Sequence, residues 1–432
     1  MATELAQFVE QAPICNTHDH LSSQGWWEQD KPDILRELFE NYCAAELVSA
    51  GATPESVAEL QNEKNPDLDG RWRPVKDAWE AVQHTGYGQA VSYIARRYFG
   101  LERLDLPGLT AAHAALPHRW APGDRYRIFK EDAGCDHVQI DHFSWKCLPD
   151  AGAPEFFFYD LSWAGFARGA PDLAGVTKDT GVEVKDLASL RQAMEAIFAQ
   201  YGPCAIAVKT QHAYGRTLAW RQRSDAEAAG VLEATLADPA GVSPERKNVL
   251  GDWCLARGVE LATEHRLPVK IHTGHHAGWG SMDMEWIRPS LLCPLLAKYP
   301  KARFVLMHTG YPYGNEILSL AKQYPNVYVD MCWAWSMNPR MSAEFVRRYL
   351  HSAPINKLFA FGSDTRRPRA AVAYAWQARR WLGRALQAEV ADGELTEPQA
   401  LAVARRIMQD NQKGCFDLDG RRRTIRQRLP KQ

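Results

Sequence analysis

The chain has 432 residues, 46% of them hydrophobic, enough to bury a large core in one or two domains. Lys plus Arg (51) nearly balance Asp plus Glu (52), so no global field gathers nucleic acid or an anionic membrane, and a small, locally recognised substrate is the expected partner. Nine cysteines scattered singly exclude a disulfide scaffold and a zinc ribbon; with no signal-type leader and no apolar run of spanning length, the expectation is a cytoplasmic protein that does not enter a membrane.

Residues 3–11 fit a short amphipathic helix leading into a first strand, Ile14-Cys15-Asn16-Thr17-His18-Asp19-His20. Side chains alternate along a strand, so His18 and His20 share a face and can grip one ion. Residues 21–30 leave the strand as a polar loop carrying Trp26 and Trp27, expected over the site as substrate contacts. Helical spacing over 33–51, a restart at Thr53-Pro54-Glu55 and a further helix within 72–99 make residues 30–120 a helical insertion, because a βα connection needs far fewer residues. The strand rhythm resumes at 137–142, 156–159 and 204–212, then at 269–273, 304–308, 327–331 and 358–364, with helical stretches between. Helices over 369–388 and 397–411 close the pattern, and the basic run from Arg421-Arg422-Arg423 to Lys431 reads as a solvated tail. No repeat or low-complexity linker divides the chain, so residues 1–432 are expected to form one α/β domain: a parallel barrel with a helical insertion after its first strand.

Polar groups fall at the ends of several apolar runs: His272 after Pro268-Val-Lys-Ile, His308 after Phe304-Val-Leu-Met, and Asp364 after Phe361-Gly-Ser. Parallel barrels carry their reactive residues at these C-terminal strand ends. Each histidine alone could be a satisfied core residue; together with Asp364 they make a divalent-metal site of the kind that acidifies a water and polarises a carbonyl. Asp364 can ligate or take a proton, although Ser363-Asp364-Thr365 would also serve as a helix cap. Lys209 ends the fourth strand, and Arg216 follows it; either could pair with a substrate carboxylate.

The motifs Thr17-His18-Asp19-His20-Leu21, Ile271-His272-Thr273-Gly274, Met307-His308-Thr309-Gly310, Asn326-Val-Tyr-Val-Asp330 and Phe361-Gly362-Ser363-Asp364 together resemble the amidohydrolase superfamily, above all amidohydrolase family 2 and the hydrolase-like domain fused to some glutamine synthetases. Residues 38–51 are similar to the insertion of uronate isomerases. The resemblance implies a distorted (β/α)8 TIM barrel. It implies a metal, zinc first and manganese second, on His18, His20, His272 and Asp364, with a catalytic role for His308. One ion is favoured, and two would be held if Lys209 were carboxylated. The implied chemistry is metal-dependent hydrolysis of an amide, ester or lactone, with non-oxidative decarboxylation or uronate isomerisation as alternatives on the same site. On hydrolysis, His308 is expected to stabilise an oxyanion and Asp364 to shuttle the proton. Homo-oligomerisation is compatible with the sequence.

Overall fold

A computed structural model describes residues 3–429. Eight strands, β1 (Ile14–Asp19), β2 (Cys135–Ile140), β3 (Phe157–Ser162), β4 (Ala205–Thr210), β5 (Val269–Ile271), β6 (Phe304–Leu306), β7 (Val327–Asp330) and β8 (Leu358–Phe359), pair in parallel in sequence order. The segment after β8 brings the sheet back to β1 through three backbone hydrogen bonds: Thr17 N to Phe361 O (3.1 Å), Asp364 N to His18 O (2.8 Å) and His20 N to Thr365 O (3.0 Å). The result is a nearly closed TIM barrel with helices outside. Its strands are apolar-rich and buried on both faces, as a parallel barrel wrapped in helices requires.

The strands are shorter than their apolar runs suggested at the site end. β5, β6 and β8 stop before His272, His308 and Asp364, which stand on the turns that follow. Between β1 and β2 the described residues form only helices and turns, from Gln24–Gln29 to Ile128–Asp132. The expected long helix over 33–51 is two, Ile34–Phe39 and Cys43–Ser49, and the break at 40–42 turns Tyr42 toward the barrel mouth. The expected loop at 21–30 is partly the helix Gln24–Gln29, started by Ser23, whose side chain accepts from Trp26 N.

The opposite mouth is plugged. Phe158, Ile206, Val305 and Phe359 point down from the strands onto Phe416, Leu418 and Ile425. The basic run that read as a solvated tail is, up to residue 428, a helix with one face in this plug, while Arg423, Arg426 and Arg428 stay exposed. Arg421 is buried and donates to the carbonyls of Gly202, His265 and Arg266, while Arg422 reaches Asp136. Lys431 lies outside the described residues. All nine cysteines are free thiols, eight of them buried. No helix among the described residues is long and apolar enough to cross a membrane.

Candidate metal centre

At the C-terminal mouth, β1 and the turn after β8 bring three side chains together. Nε2 of His18 and Nε2 of His20 lie 3.4 and 3.3 Å from the same Asp364 oxygen, Oδ1. Its other oxygen, Oδ2, lies 3.8 Å from His308 Nε2. Cys332, after β7, shares a second potential ligand group with His308 and Asp364. His272 stands one ring further out, 4.3 Å centroid to centroid from His308.

Carbonyl acceptors fix the tautomers of three histidines, since a carbonyl can only accept. Nδ1 of His20 donates to Asp141 O (2.7 Å), and Nδ1 of His308 donates to Cys332 O (3.0 Å). Each therefore turns its Nε2 toward Asp364. His272 is reversed: Nε2 donates to His275 O (2.9 Å), leaving Nδ1 as its available lone pair. With its Nδ1 proton directed to Cys332 O, a neutral His308 turns a lone pair toward Asp364, whereas the oxyanion role expected of it needs an N–H there.

Burial favours the neutral form of His18, His272 and His308. Desolvation pushes His18 well below the usual histidine range, helped by the neighbouring Lys209 and His20, and brings His308 down to about 4 against the pull of Asp364. His272 is likewise lowered by burial, with His308 and Lys209 adding to it. Buried and without hydrogen-bond partners, His18 Nε2, His308 Nε2 and Asp364 Oδ1 converge on one point. Such an arrangement is expensive unless a cation sits among them, and imidazole nitrogens with a carboxylate are the donors a divalent ion takes.

The surrounding groups hold this arrangement. Asp19, fully buried on the other face of β1, accepts from Ser363 Oγ (2.6 Å), Asn16 Nδ2 (2.6 Å) and Thr365 N (2.7 Å), tying β1 to the Asp364 turn. Inside the barrel, Lys270 Nζ donates to both oxygens of Asp160 (2.8 and 2.9 Å), and Asp160 lies 3.6 Å from His18 Nδ1. Burial raises Asp160 to about 6 even beside Lys270. His308, Thr309, Trp333 and Asp364 all have left-handed backbones, φ between 52° and 65°. Non-glycine residues keep that conformation only where their surroundings over-determine it.

A cavity of about 1150 Å³ opens above the centre, lined by His20, Tyr42, Lys209, Tyr214, His272 and Asp364 among others. Lys209 is buried beside the histidines and donates to Gln211 Oε1 (3.0 Å); burial lowers its pKa against the pull of Asp141, Asp364 and Asp160. Arg216 does not reach the cavity. It is buried, paired with Asp252 (2.5 Å) and bonded to the carbonyls of Ala167, Asn248 and Ala219, so its expected contact with substrate gives way to a structural role. Neither expected tryptophan lines the cavity: Trp27 is stacked on Trp120 in the core, and Trp26 lies beneath Arg367 on the outside. Trp145 and Trp279 take their place on the wall.

Sequence reading missed Asp160, Asp19 and Tyr42. Asp160 was legible in principle, as a charged residue in the run Phe157-Phe-Tyr-Asp-Leu-Ser162, had that strand been extended beyond Tyr159. Asp19 and Tyr42 matter through partners hundreds of residues away or across a helix break, and no local pattern announces them.

Comparison with known proteins agrees with this fold. Over 96% of this chain and 98% of the other, the fold matches the uronate isomerase of Thermotoga maritima (TM-score 0.79, 14% identity). It also matches a provisionally named metal-dependent hydrolase of Lactobacillus casei over 96% of this chain and 98% of that one (TM-score 0.68, 18% identity). Protein fluG of Emericella nidulans is 30% identical over 180 residues, 39% of this chain, and the match spans 20% of that longer protein. A sequence model of the Amidohydrolase family matches residues 187–411, from the helix before β4 to the helices that follow β8. The chain is an enzyme of the amidohydrolase family, whose members are metal-dependent.

Proposed function

We propose that this enzyme is a metal-dependent hydrolase of a small molecule carrying an amide, ester or lactone. The supporting observation is the convergence of buried, unpartnered ligand atoms from His18, His308 and Asp364, with His20, at the floor of one large cavity. His18, His20 and Asp364 would hold one divalent ion, zinc by the chemistry of its donors; His272 could join only through Nδ1. Such an ion supplies Lewis acidity, lowering the pKa of water and polarising a carbonyl.

The chain's own residues do the rest. Asp364 Oδ1 is turned to the two β1 histidines, while Oδ2 faces His308, so this second oxygen can take a proton from water and return it to a leaving group. His308, held neutral, has a free Nε2 that can accept a hydrogen bond on the Oδ2 side of Asp364. Lys209 Nζ is the donor available for developing negative charge, which gives it the role once expected of His308.

The test combines metal analysis of the purified protein with a screen of lactones, esters and amides in 18O-labelled water. Label in the product acid is the expected outcome. A confirmed substrate that releases carbon dioxide, or is isomerised without label, would replace hydrolysis by the lyase or isomerase reaction. Asp364→Asn should lower turnover by several orders of magnitude, because an amide ligates weakly and cannot accept the proton.

A further inference from the structure

The cavity wall carries more positive charge than its own acids neutralise. Glu40 is taken up by Arg36 and Arg367, Asp179 by Lys146 and Trp145 Nε1, and Asp172 caps the helix Leu173–Thr180 through Gly175 N. Arg168 has no carboxylate partner among the described residues, although it lines the cavity and is half-buried. Six of the eight buried arginines among the described residues, Arg36, Arg71, Arg125, Arg216, Arg367 and Arg369, are paired with acids, and the other two, Arg379 and Arg421, are taken up by backbone carbonyls.

The guanidinium of Arg168 is placed rather than loose. Nη2 donates to Gln211 O (3.1 Å), which fixes the plane, while Nε is buried without a partner. The side chain lies across Gly215, where an added β-carbon would sit 3.3 Å from Nε and 3.4 Å from Cδ, so glycine at this position leaves the arginine its path. Gln211, whose carbonyl orients Arg168, also accepts from Lys209 through its side chain, and Tyr214, on the same loop, packs its ring 4.9 Å from His272. Arg168 and the metal centre therefore open on one cavity. Arg366 lines it too, but is exposed, where water screens its charge.

We infer that Arg168 is a substrate-specificity residue that receives a carboxylate on the far end of the molecule whose other end is hydrolysed. With Nε packed against Gly215 and the plane fixed by Gln211 O, the Nη end of the guanidinium is what faces the cavity, and its paired N–H groups match the two oxygens of a carboxylate in geometry and charge. The inference rests on the hydrolase reading for the reacting end only; recognition of the anion stands apart from it.

The test measures binding by calorimetry to the zinc-loaded protein, using glutarate and benzoate against their neutral counterparts glutaramide and benzamide, with inorganic phosphate as a further arm. In the wild type at least one carboxylate should bind about 10-fold or more tightly than its amide. Arg168→Met should bring that ratio close to one, Arg168→Lys should keep part of it, and both should retain the wild-type zinc content and thermal unfolding. Asp364→Asn should keep the preference, so failure of the catalytic reading and failure of this one give different results. The inference is overturned if no carboxylate is preferred to its amide, if the preference survives in Arg168→Met, if it vanishes on zinc removal while Arg168 is intact, or if phosphate alone binds through Arg168.

Discussion

Removing the carboxylate of Asp19 should loosen the metal centre without touching any ligand. In Asp19→Ala the contact between Asn16 Nδ2 and Ser363 Oγ (2.8 Å) survives, but Thr365 N–H loses its acceptor inside the protein. A buried orphan donor costs about 1–3 kcal/mol. Part of this is offset, because burial raises the Asp19 pKa well above the carboxylate range and its removal relieves that penalty. A net loss of about 1–2 kcal/mol in unfolding free energy is expected. The larger effect falls on Asp364, whose left-handed backbone is held by Asp364 N to His18 O (2.8 Å), Ser363 N to Asn16 Oδ1 (3.0 Å) and the Asp19 contacts. With one support gone, zinc affinity should fall about 10- to 100-fold, the usual effect of losing a group that orients a ligand. Competition with a chromophoric zinc chelator measures this, alongside urea unfolding. Wild-type zinc affinity in a variant that has lost stability would refute the reasoning, since Asp19 would then serve the fold alone.

Three further expectations concern the same centre. His18→Ala and His20→Ala should each remove most bound metal, measured by elemental analysis, while circular dichroism stays that of the wild type; full metal content in either would break the assignment. Lys209→Ala should leave metal stoichiometry at one, as expected of an unmodified amine, and a fall from two to one would mean that Lys209 is carboxylated and bridges two ions. In chelator-treated protein, the depressed His308 pKa makes a signed contribution. The unfolded chain binds this proton near 6.5 and the folded one only near 4, so the stability is present in full above 6.5 and is lost as pH falls through that window, by roughly 3 kcal/mol. His308→Gln should lack this loss in urea unfolding at pH 7 and pH 4, and an equal loss in both proteins would rule out burial as its origin.

The barrel was legible because apolar runs ending in polar groups recur at helix-length spacing, and because His18 and His20 announce a shared strand face. The ends of the strands were not. His308 and Asp364 follow apolar runs that look like continuing strand, yet the chain turns through left-handed conformations there, set by contacts with Cys332 and β1 that only the closed barrel supplies. Arg216 and Arg168 show the same limit. Both are arginines near the same strand ends, and which one faces the cavity depends on Asp252, 36 residues beyond Arg216, lying close enough to claim it.

The plug at the base of the barrel bears on how the chain is made. Ribosomes deliver β1 first, but the apolar undersides of Phe158, Ile206, Val305 and Phe359 stay uncovered until Phe416, Leu418 and Ile425 emerge. The nascent barrel can thus possess all its strands, and even His18 beside Asp364, while its floor remains open to water and to other chains. A fragment stopped at residue 410 should sediment as aggregate even though every proposed metal ligand is present in it, and chaperone dependence during synthesis should fall sharply once the last helices have left the exit tunnel.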